Sequence, residues 1–506
     1  MPAISRVLKA SIAAAIAAGS STAAMAQPAL PESQESAPEP PKVPTFELPP
    51  ALIPPPQERS QESLREIEPS PNPLQRPNRP QQAQVEMVRA LSLEQALQLA
   101  RRNNPQLEQA RQELAAARDS LQAAQAERFP ELTTRVTLDT AKRATSEIRA
   151  QEQSFQLEPD ELNTALNGEL QLSYDIYTGE RRSAQIEQAE QRVRLRQLQL
   201  EQQREAVALK VKERYYSLQE ATSQVAIAQA AINESRQSLR DAQLRKRAGV
   251  GTQFDVLQAQ TELSQDRQEL ANARAQQRIA RRRLAQTLNL APQASVTAQD
   301  PVEKAGTWQQ SLEASITQAL RNRSELEQQI AQRRISQQEA QVALAGIRPQ
   351  VSAFGSYNIR KEFNNVGPGD GFRLGVQMQW TAFDGGRARS QAQQAREQAE
   401  TAEARFANQR NQIRLAVEES FFNLQANQQN IQTAKAEVRQ AEEALRLARL
   451  RFQAGVGTQT DVINAQARLT RARENRLTAI INYNTSLARL QRRTSSFPQG
   501  DPFTAP

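Results

Sequence analysis

The sequence predicts a mainly α protein with a small β part, built from two copies of one helix–strand–helix unit. Three observations carry that expectation. Gln, Ala, Arg, Glu and Leu dominate, aromatics are 4% and mean hydropathy is -0.70, which suits long helices more than compact globules. The stretch RAGVGTQFDVLQAQTEL at 247–263 returns at 453–469 as QAGVGTQTDVINAQARL without a gap. Ahead of each copy, apolar residues recur every seven positions, the period of a coiled-coil seam.

The elements follow in chain order. Arg6 and Lys9 precede an apolar stretch at 10–18, and Ala24-Met25-Ala26 is a small-residue cleavage motif. Residues 1–26 therefore read as an export signal peptide, with the mature chain starting at Gln27. Sixteen of the 27 prolines fall in 27–86, so 27–90 reads as a Pro-rich, disordered tether. Folded structure is expected from Leu91. Repeat 1 covers 91–290: a helix over 92–128 stopping before Pro130, a strand pair within 131–177, a long helix over about 180–247, a turn at 248–254 and a last helix over 253–289. A linker follows at 291–310. Repeat 2 covers 311–494 in the same order, with helices over 311–347, 386–453 and 459–494, strands within 350–383 and a turn at 454–460. The tail is 495–506.

The two repeats align at an offset of 219 residues at their starts (92 onto 311) and 206 from Leu170 onward (170 onto 376). Repeat 1 thus carries a 13-residue longer excursion between Pro130 and Leu170. A length change confined to one place marks a loop.

In the first long helix the seam is Val193, Leu200, Val207, then Val211, Leu218, Val225, Ile232 and Leu239. In the second it is Ala399, Phe406, Ile413, then Val417, Leu424, Ile431, Val438 and Leu445. Both contain one step of four, which locally unwinds a coiled coil. Each long helix spans about 100 Å and each shorter one roughly 55 Å. The last helix is expected to fold back along the lower half of the long one, with the first helix covering the upper half.

Four segments alternate with period two: Leu132–Leu138, Leu170–Ile176, Val351–Tyr357 and Leu374–Ala382. Their length suits a membrane barrel, with Tyr174, Tyr177, Trp380 and Phe383 as an aromatic belt at the lipid interface. The plainer reading is a soluble sheet packed on helices. Four strands cannot close a barrel, and an open sheet edge cannot sit in lipid, so a barrel requires several subunits.

Composition removes several function classes. The chain has no Cys and no His, which excludes thiol chemistry, disulfides, His acid–base catalysis and ordinary zinc sites. No enzyme activity, cofactor or metal is expected. Net charge is +8, but acidic and basic residues are interspersed. The basic run IARRRLAQ at 279–286 lacks stacking aromatics and reads as a solvated helix face, not a nucleic-acid site.

Gly249, Gly251, Gly455 and Gly457 are expected to supply positive φ where one helix ends and the next begins. A phosphate loop is a poor fit, because the turn follows a helix and no Lys comes after it. Asp255 and Asp461 stand three residues after Thr252 and Thr458, the spacing of a helix-capping box.

Residues 91–494 resemble the TolC family of outer-membrane efflux channels. The resemblance rests on the two-repeat order, the opening LSLEQALQLARRNNPQL, the strand-to-helix stretch FDGGRARSQAQQA and the duplicated AGVGTQ-x-DV. It implies a homotrimer in which each subunit gives four strands to a twelve-strand outer-membrane β-barrel and its helices to a periplasmic α-barrel. It implies a passive exit duct of a tripartite efflux or type I secretion system, set in outer-membrane lipid and linked to an inner-membrane pump by a periplasmic adaptor. The turns Gly249-Val250-Gly251-Thr252 and Gly455-Val456-Gly457-Thr458 would be the adaptor-docking tips. Asp461, and with it Asp255, would line the periplasmic gate. Asn464 stands where the family pattern has a second acidic residue, and this turn is two residues shorter. The alternative is an exported periplasmic coiled-coil scaffold with no membrane barrel.

Overall fold

The structure is a computed structural model that describes residues 87–141, 163–363 and 367–496, with four isolated positions between 74 and 79. These belong to the unit Gln61–Pro506; the other unit, Met1–Ser60, lies outside the described residues. So do the expected signal peptide, most of the Pro-rich segment and most of the tail.

Repeat 1 contains β1 (Met87–Leu91), α1 (Leu93–Asn103), α2 (Pro105–Ala126), β2 (Glu131–Ala141), β3 (Asn163–Tyr177), α3 (Arg181–Arg247) and α4 (Gln253–Thr287). Then come β4 (Ala294–Ala298), α5 (Leu312–Asn322), α6 (Ser324–Ala345), β5 (Gln350–Glu362), β6 (Pro368–Gln379), α7 (Arg387–Gln453) and α8 (Gln459–Arg493). The two long helices have 67 residues each and their partners α4 and α8 have 35 each, so the duplication holds at the level of element length.

The seam is the packing interface. Leu200, Val207, Val211, Leu218 and Ile232 of α3 are buried, as are Ala399, Ile413, Val417, Leu424, Val438 and Leu445 of α7. The lower half of α3 packs Ala228 and Ile232 against Leu263 and Leu270 of α4. Its middle packs Val207, Val211 and Leu218 against Leu97, Leu99 and Leu107 of α1 and α2. Helix α7 does the same with α8 through Val438, Leu445, Val462 and Leu469. Contacts from α3 to α6 and α8 join the repeats.

Three expectations need correction. Each first helix is two helices, not one. In repeat 1 the break is built by Asn104 and Pro105: the Asn104 Oδ1 accepts from the Gln106 and Leu107 amides, and Pro105, with no N–H of its own, suits the first helical position. In repeat 2 Arg323 stands at the break with no side-chain cap. Second, the linker at 291–310 contains a strand. Its strand β4 pairs in parallel with β1, from Met87↔Ala294 to Leu91↔Ala298, so folded structure also reaches back before Leu91. Asp300 then accepts from the Leu93 amide and the Tyr215 hydroxyl, both at 2.8 Å, and ties the linker to α1 and α3. Third, β6 stops at Gln379, so Trp380 and Ala382 lie beyond the strand.

The four long strands form one antiparallel sheet in the order β2-β3-β5-β6. The pairing β3–β5 joins the strand pairs of the two repeats. Cross-strand partners share a face. Leu132, Leu172, Gly355 and Leu374 run across one face in register, and Tyr174, Ala353 and Val376 run beside them. The other face carries Thr133, Gln171, Ser356 and Arg373. The longer excursion of repeat 1 falls between β2 and β3, at 142–162, outside the described residues.

Candidate functional site: hairpin tips and strand belt

The tips are two copies of one backbone device. Helix α3 ends with Val250 N–H donating to Arg245 C=O at 3.0 Å and Gly249 N–H to Lys246 C=O at 3.0 Å. Helix α7 ends with Val456 to Arg451 at 3.0 Å and Gly455 to Phe452 at 3.1 Å. This pair of bonds is the Schellman closure, and it needs a left-handed residue just past the cap. Gly249 (φ 77) and Gly455 (φ 78) supply it.

Gly251 and Gly457 act differently from the expectation, for neither has positive φ. A Cβ on Gly251 would lie 3.0 Å from Arg245 Cβ and from the Lys246 nitrogen. A Cβ on Gly457 would meet Arg451 and Phe452 at 3.1 Å. The first glycine of each turn is conformational and the second is steric.

The chain then enters α4 and α8 through identical caps. Thr252 Oγ1 accepts from the Asp255 amide at 3.1 Å, and Asp255 Oδ2 accepts from the Thr252 amide at 2.9 Å. Thr458 and Asp461 repeat these distances. The hydroxyls of Thr252 and Thr458 also donate to Oδ2, at 2.6 and 2.8 Å. The backbone and hydroxyl bonds from Thr458, then the nearby Arg451 charge, hold the Asp461 carboxyl below its ordinary range. Capping is thus the observed work of both aspartates. Asp461 is exposed, Asp255 half-buried, and Asn464 is exposed one turn further along α8.

The surroundings of the two tips differ. Arg245 donates to Phe452 C=O at 2.9 Å and sits 4.5 Å from the Phe452 ring centroid. Gln459 is 1% exposed and donates to Ser238 Oγ at 2.7 Å, whereas its counterpart Gln253 is exposed. Val250 and Val456 are both exposed, but tip 1 adds Phe254 (69% exposed) and Leu257 where repeat 2 has Thr460 and the buried Ile463. The sequence reading missed Phe254 and Leu257, although the gap-free alignment of the two turns already pairs them with different residues.

At the other end of the long helices stand the four aromatics expected at a lipid interface, with one change in how they face. Strict alternation would put Tyr174 and Tyr177 on opposite faces. A register shift between Asp175 and Tyr177 places Tyr177 opposite Val351, on the same face as Tyr174. Trp380, just past β6, donates from Nε1 to Ile347 C=O at 3.1 Å. Phe383 is exposed, and Phe129, which the sequence reading left out, is exposed just before β2. All five residues stand at the end of the sheet where the strands meet the helices. The transition into α7 is held by Asp384, which accepts from the Ala388 and Gly386 amides; these bonds lower its pKa.

Among the described residues no group of His, Cys, Asp and Glu can hold a metal ion. No helix of the described residues is long and apolar enough to cross a membrane, which says nothing of the strands.

Comparison with known proteins agrees with this layout. The family model for outer membrane efflux proteins matches residues 96–290 and 315–494. Among solved structures, the outer membrane protein VceC of Vibrio cholerae superposes with a TM-score of 0.66 at 18% identity, over 79% of this chain and 95% of that one. The outer-membrane channel OprN gives 0.68 at 20% identity, over 80% and 90%. The channel CusC gives 0.67 at 16% identity, over 84% and 98%. At these identities the structures establish the fold. No curated protein sequence matches the chain. The family model covers both repeats, and so the chain belongs to the outer membrane efflux protein family, whose place is the outer membrane with an extension into the periplasm.

Proposed function

We propose that three copies of this chain form a passive exit duct of a tripartite efflux or type I secretion system. The β-sheets of three subunits close one twelve-strand barrel in the outer membrane, and the helical hairpins continue it through the periplasm. The observation that carries this reading is the sheet. It has an apolar face with exposed Leu132, Leu172, Leu374, Val376 and Met378, a polar opposite face, and two unpaired edges, β2 and β6, among the described residues. An unpaired edge in lipid leaves backbone groups unsatisfied, and pairing β6 of one subunit with β2 of the next removes both edges. Strands of 11–15 residues, tilted by about 40°, span roughly the 25 Å apolar band of such barrels.

The Gly249–Thr252 and Gly455–Thr458 turns then form six tips that dock a periplasmic adaptor, through which an inner-membrane pump supplies the energy. The Asp461 carboxylates of three subunits form an acidic ring at the entrance that favours cations. Asp461 Oδ2 takes both cap bonds from Thr458, and its Oδ1 stays outside them.

The test is the native mass of full-length protein extracted from outer-membrane fractions. A trimer in that fraction is expected. A chain recovered only in soluble fractions, or one that stays monomeric in mild detergent, sinks the barrel and favours the periplasmic scaffold. In the trimer, changing Gly251 and Gly457 to Phe should abolish co-purification of the adaptor while the native mass is unchanged.

A further inference from the structure

A cleft of about 840 Å³ opens between the hairpins, lined by α3, α4, α7 and α8. Six carboxylates line it: Glu234, Glu262, Asp266, Glu269, Glu437 and Glu474. Three are engaged. Glu234 pairs with Arg473 at 3.2 Å, Glu437 accepts from Asn475 at 3.2 Å, and Asp266 accepts from the Ser235 hydroxyl. Among the described residues Glu262, Glu269 and Glu474 have no ion-pair or hydrogen-bond partner. Burial, then the Asp266 and Glu269 charges, push the Glu262 carboxyl up. Burial, then Glu269, push Glu474 up against the pull of Arg471, which also lines the cleft. Glu269 of α4 thus repels carboxylates on its own helix and on α8.

A second observation points the same way. Gln466 lines the cleft at 7% exposure, and its Oε1 has no hydrogen-bond partner among the described residues. Its amide nitrogen is spent on Glu234 C=O at 3.4 Å. A buried carbonyl oxygen without a donor costs free energy that an N–H donor restores. The carboxylates are too dispersed for one metal ion to gather three of them. Separated negative charges with one orphan acceptor match a flexible molecule carrying separated ammonium groups.

We propose that this cleft binds an extended organic polycation of the linear polyamine class, with Glu262, Glu269 and Glu474 receiving its ammonium groups and Gln466 Oε1 accepting a further hydrogen bond. The site is distinct from the hairpin tips and from the Asp461 entrance, and binding by the purified chain does not depend on export.

The experiment is calorimetric titration of spermidine into the full chain in detergent at low ionic strength. One saturable site per subunit is expected. Glu269→Gln should weaken binding about tenfold, the order of one charge-assisted hydrogen bond. Gln466→Leu, which leaves the net charge unchanged, should weaken it several-fold. Asp119→Asn, on the exposed surface of α2 away from the cleft, should leave it within about twofold of the unaltered chain. Circular dichroism checks that each variant is folded, and a rise in the melting temperature of the unaltered chain with spermidine reads binding without any variant. No saturable heat and no such rise would overturn the proposal. So would an unaltered affinity in Glu269→Gln, or displacement by magnesium ions at matched charge, which marks a diffuse ion atmosphere. Any of these failures leaves the duct reading standing, because that reading is decided by native mass and membrane fraction.

Discussion

The same helix break occurs twice in this chain and is made by different chemistry each time. At Asn104 a neutral amide caps α2, Pro105 starts it, and Asn104 Nδ2 reaches Thr287 C=O at 2.9 Å. At Arg323 there is neither cap nor proline. The guanidinium binds Glu325 in a buried cluster, and Arg492 at the end of α8 binds the same carboxylate at 2.9 Å. Burial pushes Glu325 up, but hydrogen bonds from Arg323 and the charges of Arg492 and Arg323 outweigh it, holding the carboxyl at about 2. Glu205 of α3, facing Arg492 at 3.0 Å, is raised by its burial. One break is therefore capped by its own neutral side chain, and the other is made by tertiary charges from three helices. A conserved backbone bend does not require a conserved device.

The largest test of this contrast is Glu325→Ala. It leaves the buried Arg323 without a carboxylate and Arg492 with Glu205 alone, and should cost about 3–5 kcal/mol of stability in chemical denaturation. The same cluster gives the helices an acid sensitivity. A carboxyl held below its unfolded value stabilises the fold above that value and loses the contribution as pH falls. Here the loss should run from near 4.5 down toward about 2, and Glu325→Gln should flatten that limb of the stability profile. Next in size, Asn104→Ala removes a cap and a buried hydrogen bond and should cost about 1–2 kcal/mol with no acid signature. A matching acid limb in both variants would break the distinction.

The tips sharpen the comparison at smaller scale. Gln459→Ala should cost about 1 kcal/mol more than Gln253→Ala, because only Gln459 is buried against Ser238. Thr252→Ala and Thr458→Ala should each cost about 1 kcal/mol and differ little, since their caps have the same geometry. Unequal cap losses, measured by hydrogen exchange at the two helix starts, would show that tip surroundings reach into the turns.

Much of the molecule was legible beforehand for a clear reason. A coiled-coil seam is a local periodicity, and a duplicated turn is a local string. Leu200 through Leu239 and their counterparts could therefore be assigned from spacing alone. The strand pattern worked for the same reason, up to the one bulge. A bulge is set by pairing with β5, which no spacing within β3 reveals. The turn glycines were recognised but given one role. The difference between Gly249 and Gly251 depends on where the preceding helix turn lies in space.

By itself, then, the sequence determined the two repeats, the seam, the tips and caps, and the alternation of the strands, because each depends on neighbours within a few turns of chain. Tertiary structure alone decided the rest. It joined the two strand pairs into one sheet, returned Tyr177 to the face of Tyr174, and buried Gln459 while leaving Gln253 in solvent. It also gathered Arg323, Glu325, Arg492 and Glu205 from distant helices into one charge cluster. These depend on which surfaces meet, and burial of charge and shape acts between residues that the chain order keeps far apart.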